Sequence, residues 1–165
     1  MDNPKAIFLM QQTYATLFSL ANKLQVKGDQ YLKHFTTRQM MAMIAIGHQP
    51  EGEASLNNIA RMLGTTKQTV RQLVTIIESN GYAVTESSQR DKRAVNIVIT
   101  ELGKQALVED YMLGLNFFND LFQGFSLEEM ELLWSLLQRL YRFDGEEQAG
   151  FEEDMRLDPP SNGEI

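Results

Sequence analysis

The sequence contains no cysteine, which excludes disulfide frameworks, thiolate zinc sites and peroxide sensing through a reactive thiol. It also lacks any apolar run near the roughly 18 residues that a membrane-spanning helix needs. The first 21 residues show no basic segment followed by a compact apolar run, the pattern typical of a secretory signal. We therefore expect a protein that stays in the cytoplasm.

Residues suited to catalysis or metal binding are equally scarce. The two histidines, His34 and His48, lie far apart in sequence, and neither has an acidic pair at the spacing of metal ligands. No nucleophile elbow and no phosphate-binding glycine loop occurs. The sequence thus predicts neither an enzyme nor a metal site nor a cofactor.

The charge is distributed unevenly. A formal net charge of -7 argues against a polyanionic partner, but residues 55–104 hold seven basic and four acidic residues. By contrast, residues 144–165 hold eight acidic residues and a single basic one, Arg156. A basic segment within an acidic chain is typical of a phosphate-binding surface. The acidic end, with its Asp, Glu, Gly and Pro, is predicted to be a disordered tail.

The first part of the chain has the periodicity of two helices. Apolar residues from Ile7 to Leu24 alternate spacings of three and four, which predicts a helix that packs lengthwise on another helix. Gly28 interrupts this helix but need not end it. Thr36 and Gln39 have the form of a capping box that opens a short second helix.

The centre of the chain has the pattern of a helix-turn-helix. Four apolar residues fall at positions i, i+3, i+4 and i+7, namely Leu56, Ile59, Ala60 and Leu63. Ser55 is placed to cap this helix and Gly64 to end it in a left-handed conformation. Thr65 and Gln68 form a possible capping box for a second helix that runs to residues 80–81. Two short helices joined by a tight turn constitute the motif.

After this motif the apolar period changes to two. Residues 82–86 and 94–99 are predicted to form the strands of a hairpin with a polar, basic tip. Thr100 and Ser126 then open two further amphipathic helices. We therefore predict a mainly α fold with a small two- or three-stranded β wing. This is a winged helix-turn-helix whose N- and C-terminal helices form a dimerisation region.

The second helix of the motif carries donors and acceptors opposite its apolar stripe. In a major groove, Gln68 and Gln72 suit adenine edges, Arg71 suits guanine and Lys67 suits a phosphate. The alternative is a solvated polar face, which would be the better interpretation for an isolated helix. The candidate DNA-contacting residues of this helix and the wing are Thr65, Thr66, Lys67, Gln68, Thr69, Arg71, Gln72, Thr75, Arg90, Asp91, Lys92 and Arg93.

The hairpin tip places three bases around one acid. A basic loop of this kind can enter a narrow minor groove, where Asp91 would orient the guanidinium of Arg93. The alternative is an ordinary turn made soluble by its charges, because Asp and Arg are common in turns.

Several segments in this order resemble the MarR family of bacterial and archaeal regulators. They are residues 56–64 and the sequences TKQTV at 66–70, ESNGY at 78–82, DKRA at 91–94 and VITELG at 98–103. The resemblance implies a homodimer with interlocking terminal helices, a recognition helix over residues 66–80, and a wing in which Asp91 and Arg93 match the family's Asp-x-Arg. Thr85 stands where the family usually has an arginine, and the acidic tail is not part of the family pattern.

These observations predict a sequence-specific, DNA-binding transcription regulator, expected to be a repressor. It would act as a homodimer on a palindromic operator and be relieved by a small aromatic or lipophilic ligand. The alternative is a winged-helix protein-interaction module with weak or no DNA binding, which Thr85 and the acidic tail favour. The predicted division is an N-terminal helix over 1–35, a DNA-binding domain over 36–103, dimerisation helices over 104–144 and an acidic tail over 145–165.

Overall fold

The computed structural model describes residues 3–87 and 95–146. Within these ranges the elements, in order, are α1 (Pro4–Gly28), α2 (Thr37–Gly47), α3 (Leu56–Met62), α4 (Lys67–Ser79), β1 (Ala83–Ser87), β2 (Val95–Ile99), α5 (Glu101–Phe122), α6 (Leu127–Tyr141) and a short 3-10 helix, Arg142–Asp144. The two strands pair antiparallel, with Ala83 opposite Ile99 and Ser87 opposite Val95. The predicted mainly α architecture with a small β wing is confirmed.

Most of the predicted helix starts carry the expected cap. The hydroxyls of Thr36, Ser55, Thr100 and Ser126 each accept the backbone N–H of the residue three positions later. At Thr36 and Ser126 the reciprocal bond from Gln39 or Glu129 completes a capping box. Because each cap satisfies a donor that the first helical turn leaves unpaired, these residues fix where the helices begin.

The cap of α4 is Thr66 rather than the predicted Thr65. Gly64 adopts a left-handed conformation at φ +60, and the N–H of Thr65 donates to the carbonyl of Ala60 at 3.0 Å. This bond, with that from Gly64 N–H to the carbonyl of Arg61, is the Schellman arrangement that closes α3. Thr65 therefore belongs to the end of α3, and α4 begins one residue later.

The interruption predicted at Gly28 is the end of α1. A Cβ atom at Gly28 would lie 2.6 Å from Oγ1 of Thr37, at the start of α2. The missing side chain of Gly28 therefore lets the end of α1 pack closely against Thr37 at the start of α2.

A single apolar core holds the central part of the chain together. It is formed by α2, α3, α4, the two strands and the first half of α5, and its most buried members include Met43, Ile59, Val70, Ile77 and Leu107. The backbone N–H of Ile97 donates to the carbonyl of Ala54 at 3.0 Å, which ties β2 to the segment before α3. The wing is thus fixed to the helices beside it.

A buried carboxylate joins α5 to the segment between α1 and α2. Asp110 is fully buried and accepts hydrogen bonds from the backbone N–H groups of Lys33, His34 and Phe35 at 2.9–3.2 Å. Charge-assisted bonds of this kind are stronger than neutral ones and compensate the burial of the charge. Asp110 therefore fixes the entry to α2 against the long helix α5.

The terminal helices leave large apolar side chains exposed. On α1 these include Phe8, Tyr14 and Phe18. On α6, which has no buried residue, they include Trp134, Leu136 and Leu140. The seam predicted along α1 therefore meets no lengthwise partner within the described single chain. None of the helices described is long and apolar enough to cross a membrane.

Candidate nucleic-acid interface

The helix α4 separates an apolar from a polar face. Val70, Val74 and Ile77 are buried against the core at 0%, 4% and 1% exposure. The polar face is made of exposed side chains that recur every three or four residues, namely Gln68, Arg71, Gln72 and Thr75, with Lys67 at the helix start. One side of the helix holds it to the domain, and the other is presented to the surroundings.

The long polar side chains of this face have no partner within the described chain. Lys67, Gln68, Arg71 and Gln72 make no side-chain hydrogen bond or ion pair to any residue of 3–87 or 95–146. Some other exposed lysines are paired, as in Lys33–Glu109 at 3.0 Å and Lys104–Glu101 at 2.7 Å. The face is therefore a row of free donors and acceptors.

The threonines of the helix are already engaged. Thr66 caps the helix, and its hydroxyl lies 2.9 Å from that of Thr69. The hydroxyl of Thr75 donates to the carbonyl of Arg71 at 2.8 Å. Thr65 is half-buried, and its N–H is used to close α3. The hydroxyls of Thr66, Thr69 and Thr75 thus already have hydrogen-bond partners within the helix, unlike the side chains of Lys67, Gln68, Arg71 and Gln72.

The N-terminus of α4 adds a positive electrostatic end. The hydroxyl of Thr66 accepts the N–H of Thr69, and no acceptor among the described residues takes the N–H of Lys67 or Gln68. No acidic residue lies in the first turn to compensate the helix dipole. With the ammonium of Lys67 beside it, this end is suited to a phosphate.

The described strands of the wing carry no basic residue, and their one charged side chain is the acidic Glu86. Thr85, at the position where the family has an arginine, is exposed on β1 and pairs in register with Ile97 on β2. The predicted contacts at the hairpin tip, which are Arg90, Asp91, Lys92 and Arg93, lie outside the described residues.

The comparisons with known proteins agree with the winged-helix fold. A MarR family model matches residues 35–94, from the residue before the cap of α2 to the residue before β2. The resemblance to the MarR family is confirmed. No curated protein matches the chain.

The winged-helix fold is that of solved MarR-type regulators. A MarR/EmrR family transcriptional regulator from Acinetobacter sp. ADP1 is 23% identical with a TM-score of 0.70, over 81% of this chain and 95% of that one. The regulator BldR from Sulfolobus solfataricus is 21% identical with a TM-score of 0.72, over 83% and 98%. MepR from S. aureus, solved as a DNA complex, is 24% identical with a TM-score of 0.66, over 78% and 94%. These similarities cover nearly the whole of each solved structure.

Within this MarR-type fold, a polar cluster that the sequence analysis missed lies beside the wing. His34 Nε2 lies 2.8 Å from Glu109 Oε2 on α5, and His34 Nδ1 lies 3.3 Å from the hydroxyl of Tyr82, just before β1. The hydrogen bonds from His34 and then Lys33 lower the pKa of Glu109. The cluster connects α5 to the start of the wing.

Asp110 did have a recognisable signal. It lies three residues after Leu107 and four after Ala106, both of which are buried, so a charge falls on the apolar face of α5. A carboxylate at such a position requires several donors. His34 and Glu109 offered no comparable signal, because they are 75 residues apart and neither interrupts an apolar pattern in the sequence. In the described ranges, no three His, Asp or Glu side chains are grouped so that they could hold a metal ion.

Proposed function

We propose that this protein is a sequence-specific DNA-binding transcription regulator that acts as a repressor in the cytoplasm. The observation that carries the proposal is the exposed row of unpaired side chains on α4, on a fold that solved MarR-type regulators share. If this face were only solvated, water alone would satisfy these groups. The row of side chains lies on the second helix of a helix-turn-helix, beside a wing, and this position favours duplex DNA as the partner.

In this proposal α4 lies in the major groove. Arg71 donates two hydrogen bonds to a guanine edge, and Gln68 and Gln72 each bind an adenine edge. Lys67 and the free N–H groups of the first turn hold a phosphate. Thr65, Thr66 and Thr69 lie at the same end of the helix and line the approach to the sugar-phosphate backbone.

The wing completes the proposed interface. Arg90, Lys92 and Arg93 enter the minor groove at the flank of the site, and Asp91 orients Arg93. Since Thr85 offers no charge on the described strand, these residues supply the wing's electrostatic attraction. The combined interface neutralises several phosphates, so its affinity depends on salt.

We propose a second copy of this chain as the partner of the exposed apolar faces. Each of α1, α5 and α6 leaves large apolar side chains exposed, including Phe8, Phe18, Phe118, Trp134 and Leu136, whereas monomers rarely expose large apolar patches. Isologous association would bury these faces and relate the two DNA-binding surfaces by two-fold symmetry. Each such surface, made of α4 and the wing, is called a reading head. A palindromic operator with half-sites about 10 base pairs apart follows.

The proposed division of labour follows from this arrangement. Residues 36–103 bind DNA, while residues 1–35 and 104–144 form the dimerisation region and residues 145–165 an acidic tail. A small aromatic or lipophilic ligand between the two parts would change the separation of the reading heads and relieve repression. Such relief requires the ligand to bind one spacing of the heads more tightly than the other.

A protein-interaction module that has lost DNA binding is the second candidate. It is favoured by the uncharged Thr85 on the described strand and by the eight acidic residues in 144–165. The free face of α4 argues against it, because a module without DNA needs no such row. Selection of bound duplexes from a random pool, together with duplexes from beside the protein's own coding region, separates the two functions.

Arg71→Ala tests the base-reading role of α4. We expect it to relax the preference at one base pair per half-site, at a cost of about 1–3 kcal/mol, while other positions keep their preference. The measurement is the base preference of wild type and variant in the same selection. Lys23→Ala, which removes an exposed charge from α1, is the control and should leave the preference unchanged. A uniform loss across all sequences would instead make Arg71 a phosphate contact.

A further inference from the structure

Thr75 differs from its neighbours on the exposed face of α4. It lies one turn after Arg71, and its hydroxyl donates to the carbonyl oxygen of Arg71 at 2.8 Å. This bond turns the hydroxyl toward the preceding turn of the helix and restricts the side chain to one rotamer. The Cγ2 methyl is then the part of this exposed side chain that remains for contact with a partner.

The surroundings of Thr75 divide the face into two chemical zones. Gln68, Arg71 and Gln72, which precede it by seven, four and three residues, present unpaired polar groups. Ile76, which lies one turn after Gln72 at the edge of this face, is an apolar side chain left 45% exposed. The third turn of the face therefore offers apolar contacts, the Thr75 methyl and Ile76, beside the polar Ser79.

We propose that Thr75 is a specificity-determining residue that recognises thymine through its methyl group. The inference rests on the proposed function, in which this face enters the major groove. Thymine is the only base that presents a methyl group there, so a methyl on the protein distinguishes it from the other three bases. Each half-site therefore contains one thymine whose C5-methyl packs against Cγ2 of Thr75.

The test removes the methyl group from each partner separately. Thr75→Ser keeps the hydroxyl and deletes the methyl, whereas Thr75→Val keeps a methyl and deletes the hydroxyl. On the DNA side, each thymine of a selected duplex is replaced in turn by deoxyuridine, which lacks the C5-methyl. Affinities are measured for wild type, Thr75→Ser and Thr75→Val with every duplex.

One thymine per half-site should respond. We expect wild type to lose about fourfold in affinity when deoxyuridine replaces it, the value for one buried methyl-sized group. Thr75→Ser should lose a similar factor on the thymine duplex and nothing further on the deoxyuridine duplex. Thr75→Val should stay within about twofold of wild type on thymine and keep the sensitivity to deoxyuridine.

Other results would overturn the inference. If the losses from Thr75→Ser and from every deoxyuridine simply multiply, or if none of the substitutions matters, Thr75 does not contact a thymine methyl. The deoxyuridine series needs no change to the protein, so it still measures whether wild type is sensitive to a thymine methyl group even if a Thr75 variant folds poorly. Failure of wild type to bind any duplex is a separate outcome, which would refute the proposed function and this inference with it.

Discussion

Asp110→Ala is expected to destabilise the folded chain by about 3 kcal/mol or more. The substitution leaves the backbone N–H groups of Lys33, His34 and Phe35 without their acceptor inside the protein. A buried donor left unsatisfied costs about 1–3 kcal/mol, and of these bonds the one from Phe35 is buried and those from Lys33 and His34 are partly buried. Because these residues lead directly into α2, their release also loosens the apolar core that α2 forms with α3 and α4. Urea unfolding followed by circular dichroism measures the change.

Asp120→Ala provides a matched control on the same helix. Asp120 is exposed and accepts a hydrogen bond from the hydroxyl of Tyr31 at 2.6 Å, so its loss should cost less than about 1 kcal/mol. The difference between the two aspartates isolates the buried network from the general effect of removing a carboxylate. Similar costs for both variants would show that Asp110 does not anchor the segment before α2.

Leu136→Glu is expected to separate the proposed dimer into single chains. Leu136 is 43% exposed on α6, so the substitution costs the isolated chain little, but in a dimer it would place two carboxylates in an apolar interface. An uncompensated buried charge costs about 3 kcal/mol or more, which raises the dimer dissociation constant at least 100-fold. Light scattering after gel filtration should show the mass of one chain.

The same variant should lose most of its affinity for a palindromic duplex. A single chain binds one half-site, and binding of the second half-site then requires a separate chain instead of the other half of the same dimer. We therefore expect the affinity for the palindrome to fall at least tenfold. Ser135→Glu adds the same charge at the neighbouring exposed position and serves as the control. A monomeric Leu136→Glu chain with unchanged affinity for the palindrome would contradict the proposed use of two reading heads.

Local pattern was sufficient to predict the elements and the polar face of α4. Helical spacing determines which side of α4 is polar, and cap residues act within three positions, so both are readable without tertiary contacts. The start of α4 was misplaced by one residue because Thr65 donates backward to Ala60. That bond depends on the left-handed conformation of Gly64, which fixes the geometry of the whole turn.

Contacts distant in sequence were not predictable in this way. Asp110 binds N–H groups about 75 residues earlier, and Glu109 meets His34 across the same gap. Neither partner is specified by spacing along a helix. The apolar seam of α1 was visible in the sequence, but its proposed partner lies on another chain, so no single-chain pattern could identify it.

The most direct test of the central claim is the salt dependence of duplex binding by the wild-type protein and Lys67→Ala. We expect log Kd of the wild type to rise linearly with log salt concentration, with a slope of about 0.9 for each phosphate neutralised. Lys67→Ala should weaken binding for all sequences and reduce the slope by about one for each reading head. A Kd that does not change with salt concentration, or a wild-type protein that binds no duplex, would contradict DNA recognition by α4.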